Sequence, residues 1–487
     1  MTLKTAAPLL LMGIGIGLAG CKVGPNYVKP QASAPPAYEE SAPDSTQSGD
    51  WKPAAPSDSA LGGSWWQLFS DPELNQLEQQ VATANQSLKA SEANFRAARG
   101  YVAINRSYLA PTIGTAPAIG TVRDSLHQPY FNTNYLNNGE GSFSLPFDIN
   151  YEIDLWGRIR RGVTASRAQA QASAADLATA LLSLQAELAM DYFDLRATDT
   201  QLQLLNDTVK AYQEALKLTE DRHDGGAAPL SDVTQARTQL QAAQVIQTDL
   251  NNERAADQHA IAILIGLPPA EFHLDALPRG ADHSVLPKVP LSLPSQLLER
   301  RPDIASMERQ MAAANEQIGI AKAAYYPTLS LSGSAGFMGT SALNWLTWPS
   351  RFWAVGPTLS ETLFDAGRRK AGVAIAQANY DATVANYRQT VLTSFGQVED
   401  NLAALRILET EADQQHAATH SAEQTLDLFT TRYQGGVDTY LQVITSQTAA
   451  LMNERNDIEI QLRRQQASVL LIKALGGGWT TQQLPKV

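Results

Sequence analysis

The chain is poor in several features that define large protein classes. It has one cysteine among 487 residues, which excludes an internal disulfide. It has no second apolar run, beyond the one at its N-terminus, that approaches the roughly 18 residues of a membrane-spanning helix. Its net charge is −12, which argues against nucleic acid as a partner. No pair of acidic residues stands beside a candidate nucleophile, so we expect that the protein is not an enzyme and needs no cofactor or metal for catalysis.

The N-terminus has the pattern of a secretory signal. Lys4 precedes an apolar stretch over residues 6–18, and small residues lead to Cys21. The run Leu-Ala-Gly-Cys at residues 18–21 resembles the bacterial lipoprotein signal. This resemblance implies cleavage after residue 20 and acylation of Cys21 with diacylglycerol and an N-acyl chain. Lys22, rather than Asp, resembles the signal for the outer membrane. An ordinary signal peptide with a chance cysteine is the alternative. Without residues 1–20, the net charge is −13.

The chain contains two copies of one pattern. At an offset of 210 residues, Gly157-Arg158 matches Gly367-Arg368, and Gly225-Gly226 matches Gly435-Gly436. An offset of 216 relates the start of the copies, where Pro111 matches Pro327. Because these pairs share one register, we interpret them as an internal duplication. The predicted divisions are a signal peptide (1–20), an N-terminal lipid-anchored segment (21–70), repeat 1 (71–266), a linker (267–294), repeat 2 (295–476) and a tail (477–487).

Each copy predicts an initial helix, two strands, a long helix and a return helix. The initial helices are expected over residues 74–108 and 297–325, and the return helices over 230–265 and 440–475. The long helices should run over about 158–223 and 368–433, or about 100 Å at 1.5 Å per residue. Since neither shorter helix can cover this length alone, we expect the initial and return helices to stack end to end, which gives four helical columns. Free coiled-coil arms are the alternative, although the Ala-rich stripe favours lateral packing.

A second pattern predicts strands with one apolar face. From Phe143 to Leu155 every odd residue is apolar or aromatic, and every even residue is polar or proline. Other strands are expected over 112–123, 328–337 and 352–364, with Trp345, Trp348 and Trp353 flanking the second hairpin. A half-buried strand of a soluble sheet would show the same alternation. The length and the acidic residues favour a membrane strand. The residues predicted to line an aqueous lumen are Asp148, Glu152 and Asp154. Four strands cannot close a barrel, so three chains and twelve strands are expected.

Together these motifs resemble one family, over nearly the whole mature chain. The motifs are Val23–Pro30, Trp65-Trp66, Asp154–Arg158, Arg300–Ile304, Tyr326-Pro327, Phe364–Arg368 and Arg432–Leu441. They resemble the TolC-like outer membrane factors, in particular the lipoprotein branch that serves efflux pumps. The resemblance implies a mostly α-helical homotrimer in the outer membrane of a Gram-negative bacterium, with a twelve-stranded β-barrel continued by a helical periplasmic tunnel.

The resemblance also implies a function and its partners. The protein would conduct drugs or other small toxic compounds passively from an inner-membrane pump of the RND type and a periplasmic adaptor, or membrane fusion protein. A duct for metal-ion efflux or for protein secretion is the alternative. The partners would be outer membrane lipid, the adaptor and the pump, and not nucleic acid.

The breaks between long and return helices are the predicted sites of docking and gating. The residues expected to contact the adaptor are Gly225, Gly226, Gly435 and Gly436. The residues expected to form a periplasmic gate are Leu230, Asp232, Arg432, Tyr433, Asp438 and Tyr440. The resemblance locates Asp438 at the constriction, where Arg432 or Arg222 could pair with it. His416 and His420 could share a metal, but no third ligand is evident, which favours a solvated helix face.

Overall fold

The computed structural model describes residues 22–30, 35, 37–40, 63–123, 125, 127, 139–276, 286–287 and 298–486. The predicted lipidation site, Cys21, lies outside these residues. The helices are α1 (Pro72–Ala84), α2 (Gln86–Ser107), α3 (Arg158–Asp224), α4 (Leu230–Leu264), α5 (Pro302–Ala323), α6 (Arg368–Gln434) and α7 (Tyr440–Ala474). Within the described part of the chain, no helix is both long and apolar enough to cross a membrane.

The long helices α3 and α6 agree with their predicted bounds, and each has 67 residues. Both contain no proline, and both end in the same way. Gly226 and Gly436 each adopt a φ of 74°, which favours glycine. The amide that follows each glycine then donates to a carbonyl in the last helical turn, Ala227 to Arg222 (2.7 Å) and Val437 to Arg432 (2.9 Å). The Gly-Gly breaks therefore end the helices by a shared backbone geometry.

The first initial helix differs from its prediction, because it is broken at Asn85. The expected continuous helix over 74–108 is wrong at this residue, whose ψ of 127° is not helical. The Asn85 side chain accepts a hydrogen bond from the Leu88 amide (2.9 Å) and so caps α2. The same side chain donates to the carbonyl of Leu264 (2.8 Å), the last residue of α4. The break thus joins the start of α2 to the end of α4.

The second repeat has an equivalent joint, and the expected continuous helix over 297–325 is likewise wrong at Arg301, whose ψ of 122° is not helical. Arg301, which lies immediately before α5, donates to the carbonyl of Ala474 (3.1 Å), the last residue of α7. A glycine of positive φ follows each return helix, Gly266 at 75° and Gly476 at 93°. A Cβ atom on these glycines would lie 2.5 Å from the Ala84 carbonyl oxygen and 2.1 Å from that of Arg300. The end-to-end stacking of α2 on α4 and of α5 on α7 is therefore confirmed.

The helices form four columns, as predicted. The α3 column packs against α2 and α4 on one side and against α5 and α7 on the other. The α6 column packs against α5 and α7. The largest apolar core lies at the height of the joints, where Phe69 and Phe193 have ring centroids 4.9 Å apart. The columns are thus arranged as one layer, with α2/α4 at one end and α6 at the other.

The sheet has four strands, one of which is interrupted. β1 (Thr112–Thr115) and β2 (Ala118–Val122) both pair antiparallel with β3 (Glu140–Ile153) in one continuous register. Pro117, which has no amide hydrogen, lies in the interruption. β3 also pairs with β4 (Thr328–Gly339), and β4 pairs with β5 (Arg351–Ser360). The strands of the two repeats are therefore adjacent. Neither outer edge of the sheet has a partner strand within the described residues.

Residues 22–30 and 37–40, the N-terminal strap, connect the sheet to the middle of the columns. The Val23 amide donates to the carbonyl of Trp156, directly before α3 (3.1 Å). The fully buried Arg161 donates to the Val23 carbonyl (2.6 Å) and to Glu316 of α5 (2.8 Å). Farther along the strap, the amide of Glu39 donates to the Glu399 carboxylate of α6 (2.9 Å). The strap therefore contacts both repeats.

Candidate functional site

One face of the sheet is apolar across all four strands. The register pairs Ile113 with Ile149, Ile149 with Gly333, and Gly333 with Val355. Residues that are opposite each other in a ladder share a face, so these four residues lie on the same face of the sheet. Ile113 is 70 % exposed and Val355 is 66 % exposed. A continuous exposed apolar surface of this kind marks contact with lipid or with another protein.

The opposite face of the sheet is polar. Asp148 is paired with Ser334, and Glu152 with Ser330, so both predicted lumen residues lie on this face. Glu152 also forms an ion pair with Arg158 at the start of α3 (2.7 Å). Asp154 lies just beyond β3, and its carboxylate accepts from the Arg160 backbone amide (2.9 Å). Asp154 therefore holds the first turn of α3 instead of standing free on the polar face. The lumen assignment of these acids stays a prediction.

The four tip glycines lie at the far end of the columns from the sheet, and all four are exposed. Beside them, Arg432 and Asp438 form an ion pair within a single hairpin. The Arg432 side chain is 55 % exposed and that of Asp438 is 21 % exposed, so water screens the pair. The predicted pairing partner of Asp438 is thus Arg432 of its own hairpin and not Arg222 of the other one.

Arg222 instead connects the two hairpins. Its guanidinium donates to the Tyr433 carbonyl (2.7 Å), and its Cζ lies 4.6 Å from the centre of the Tyr433 ring. Tyr433 in turn contacts Tyr440, with ring centroids 5.2 Å apart. Both tyrosines are buried, and burial raises the pKa of Tyr440 to about 12. The structure therefore brings two predicted gate residues into one cluster with Arg222.

The two gate residues predicted in the first hairpin differ in their relation to this cluster. The negative charge of Asp232 adds to the effect of burial on the pKa of Tyr440, whereas Leu230 lies outside the cluster. Leu230 is 59 % exposed at the start of α4, and the backbone amide of Asp232 donates to the Pro229 carbonyl (3.1 Å). Leu230 occupies the position that corresponds to Tyr440 at the offset of 210. An exposed leucine therefore stands in the first tip where the second has a buried tyrosine.

Sequence reasoning missed an acidic cluster at the middle of the columns. Burial raises the pKa of Asp191 to about 7, and the nearby Glu187, Asp194 and Asp257 add to this effect. Burial likewise raises the pKa of Asp257 to about 6. Asp191 and Asp194 lie on α3, whereas Asp257 lies on α4. The sequence shows the short spacing of the first two residues, but the approach of Asp257 depends on the packing of the two helices.

The histidine pair of α6 lies away from this cluster. His416 Nδ1 is 3.7 Å from an Asp457 carboxylate oxygen of α7. Across the described ranges, no group of three or more suitable side chains is arranged to hold a metal ion. His416 itself is largely exposed, which agrees with a solvated helix face.

Comparison with known proteins supports one family over most of the chain. A family described as "Outer membrane efflux protein" matches residues 77–267 and again residues 293–477. The two matches coincide with the two copies of the pattern, which confirms the duplication. The probable efflux pump outer membrane protein TtgC of Pseudomonas putida is 30 % identical over 477 residues, covering 96 % of this chain and 94 % of that protein. The outer membrane protein OprJ of Pseudomonas aeruginosa is 30 % identical over 480 residues, with coverage of 98 % and 97 %.

Solved structures have the same fold. The outer-membrane channel OprN superimposes with a TM-score of 0.84 at 29 % identity, covering 94 % of this chain and 100 % of that chain. The MtrE outer membrane channel of Neisseria gonorrhoeae gives a TM-score of 0.80 at 25 % identity, with coverage of 94 % and 98 %. The resemblance stated from the sequence motifs is thus confirmed, and the chain belongs to the outer membrane efflux protein family.

Proposed function

We propose that three copies of the chain form one channel. The observation that carries this proposal is the open four-stranded sheet with an exposed apolar face. In lipid, its unpaired edges would leave backbone groups unsatisfied, so the sheet must close into a barrel. About eight strands are the practical minimum for closure, and three chains supply twelve. The β5 edge of one copy would pair with the β1/β2 edge of the next, which is a head-to-tail contact that closes into a ring.

The columns support the same head-to-tail arrangement. In the outermost column, α6, Ile375 and Leu392 are each 62 % exposed. At the other end of the layer, Tyr101 of α2 is 63 % exposed. A neighbouring copy would cover both surfaces at once. Native mass spectrometry of the detergent-solubilised protein is expected to give three chains per particle. A stable monomer or dimer that conducts ions in bilayers would overturn the proposal.

The proposed activity is passive conduction from an inner-membrane pump to the exterior, without a catalytic step. Relatives are named for antibiotic efflux and for toluene efflux, which supports small toxic compounds as the substrates. The pump would be of the RND type, and a periplasmic adaptor would join it to the tips. The exposed glycines at both tips support this docking, since backbone without side chains allows close approach.

A bulky tip residue tests adaptor docking. Gly436→Trp is expected to abolish drug resistance in a strain that lacks its own channel, because the indole would block the adaptor. The control is Ala417→Trp, at an exposed position of α6 away from the tip. Bilayer conductance of both variants checks that the channel is intact. Full resistance with Gly436→Trp would contradict docking at this tip.

The lipid anchor is a separate part of the proposal. The strap brings Lys22 and Val23 to the start of α3, directly below the sheet, where Val23 contacts Trp156. Acyl chains on Cys21 would therefore enter the membrane beside the barrel, and each buried CH₂ would contribute about 0.8 kcal/mol. Cys21→Ser is expected to abolish labelling with radioactive palmitate while the barrel keeps the protein in the membrane. Palmitate labelling of the Cys21→Ser protein would refute the assignment.

The gate is proposed to lie at the tips. The Arg432–Asp438 pair and the Arg222–Tyr433–Tyr440 cluster join helix ends through contacts that are individually weak. The solved MtrE structure is described as an open state, which supports a fold with more than one state. Replacing Arg432 and Tyr433 together by alanine is expected to raise single-channel conductance. Unchanged conductance of an intact trimer would require a gate elsewhere.

A further inference from the structure

The second hairpin of the sheet is unusual in its charge. In a chain with a net charge of −12, the segment from Thr328 to Ser360 contains no acidic residue and a single cation, Arg351. Arg351 begins β5 at the end of the sheet that is remote from the helices. No ion pair involving Arg351 is present within the described part of the structure. Arg351 therefore lies at the outer rim of the sheet as a cation without an ion pair among the described residues.

The connection between β4 and β5 has a defined shape, built around Asn344. The Ser341 amide donates to the Asn344 side chain (3.1 Å), while the hydroxyls of Thr347 (2.7 Å) and Ser350 (2.6 Å) both donate to the Asn344 carbonyl. Trp348 follows directly in the chain, in a short 3₁₀ turn. The hydrogen bonds of Asn344 therefore hold Trp348 next to Arg351.

Arg351 and Trp348 are stacked on the apolar face. Arg351 is opposite Phe337 in the ladder, which assigns it to that face, and its Cζ lies 3.6 Å from the centre of the Trp348 ring. Trp345 packs against Phe143 of the same face, with ring centroids 5.6 Å apart. Trp348 is 74 % exposed, and the neighbouring Leu346 is 62 % exposed. The rim thus combines exposed apolar side chains with one cation held flat against an indole.

We propose that Trp348 and Arg351 bind the phosphate group of an outer-leaflet glycolipid, whose acyl chains lie along the apolar face. The proposal rests on the proposed insertion of the sheet into the outer membrane. Stacking leaves the edge of the guanidinium free to donate two parallel hydrogen bonds, which suits phosphate. Tryptophan favours the boundary between headgroups and acyl chains. Because the hairpin contains no acidic residue, the positive charge of Arg351 complements the negative charge of the phosphate.

Native mass spectrometry of the purified trimer tests the site. The trimer is mixed either with diphosphoryl lipid A or with the same lipid after dephosphorylation. The wild-type trimer is expected to retain the phosphorylated lipid about tenfold more strongly. Arg351→Gln should remove this preference, and Trp348→Leu should weaken it. The matched control is Arg388→Gln, which removes an exposed cation of α6 away from the sheet and has none of the described aromatic rings beneath it. Excess inorganic phosphate should not displace the lipid.

The outcomes separate this site from the channel itself. Bilayer conductance of the Arg351→Gln trimer should equal that of the wild type, since the side chain lies on the apolar face. An equal preference for both lipids in the wild type would overturn the site, as would an equal loss with Arg388→Gln and Arg351→Gln. Displacement by inorganic phosphate would mean a free-anion site and would also overturn it. Failure of the wild type to form a conducting trimer would instead refute the proposed function.

Discussion

The two repeats share their backbone more closely than their polar side chains. Both joints use a glycine of positive φ and a side-chain donor to the last carbonyl of the return helix, Asn85 in one repeat and Arg301 in the other. The middle of the columns differs. Asp191, Asp194 and Asp257 correspond to Asn401, Ala404 and Ala467 at the offset of 210, so these three acids have no acidic counterparts in repeat 2.

At the tips, the second repeat has a carboxylate, Asp438, without an acidic counterpart in the first. His223 and Ala228 of the first tip correspond to Tyr433 and Asp438 of the second. Arg222 therefore has no carboxylate at the position where Arg432 finds Asp438, and it contacts Tyr433 across the hairpins. Duplication thus supplied the columns and joints twice, whereas the three acids at the middle of the columns and the arginine–carboxylate pair of Arg432 and Asp438 at the tip each occur in one copy.

The largest expected effect tests the shared joints. Gly476→Ala and Gly266→Ala should each destabilise the protein by about 3 kcal/mol or more, because the new Cβ meets a backbone oxygen and the positive φ adds strain. Gly226→Ala is the matched control, since its φ is also positive but no atom lies near the new Cβ. Gly226→Ala should lower the free energy of unfolding by about 1–2 kcal/mol. Denaturant unfolding followed by circular dichroism measures all three. Equal losses would mean that the joints are not close contacts.

The second prediction concerns the acidic cluster of repeat 1. The folded-state pKa of Asp191 is about 7, above the ordinary 3.8, so the folded protein binds the proton more tightly than the unfolded chain. Stability should therefore fall as the pH rises from about 4 to about 7. Asp191→Asn should reduce this fall in thermal unfolding measured between pH 4 and 7. The reciprocal change, Asn401→Asp in repeat 2, should add little pH dependence, because the corresponding neighbours are uncharged. An unaltered pH profile for Asp191→Asn would contradict the prediction.

The smallest effect on stability is expected at the tips. Ala228→Asp introduces a carboxylate where the second tip has Asp438, and Arg222 should pair with it and leave Tyr433. An exposed ion pair contributes about 0.2–1 kcal/mol to the free energy of unfolding, so stability should hardly change. Single-channel conductance should rise, because Arg222 would no longer join the two hairpins. Ala227→Asp, one residue away, is the control. If neither variant alters conductance, or both alter it equally, Arg222 does not hold the tips together.

Local signals in the sequence were enough to predict the columns and strands. Gly-Gly pairs end the long helices, prolines stop the initial helices, and alternation locates β3 within a few residues. The break at Asn85 was not predictable, because asparagine is tolerated within helices and the deciding partner is the Leu264 carbonyl, 179 residues away. Likewise, the sequence left Arg432 and Arg222 as alternative partners of Asp438. Arg432 is six residues from Asp438, whereas Tyr433, the observed partner of Arg222, is 211 positions from it.

The N-terminal strap has a consequence for the order of folding. Tyr27 donates to Glu308 (2.6 Å) across 281 positions of sequence, and Glu39 reaches Glu399 across 360. Contacts between such distant positions form slowly, because a long loop must close before they stabilise anything. The strap also lies against α5 and α6, which lie in the second half of the chain and are therefore synthesised long after the strap. The first part of the mature chain to be synthesised is therefore expected to be the last to reach its native position.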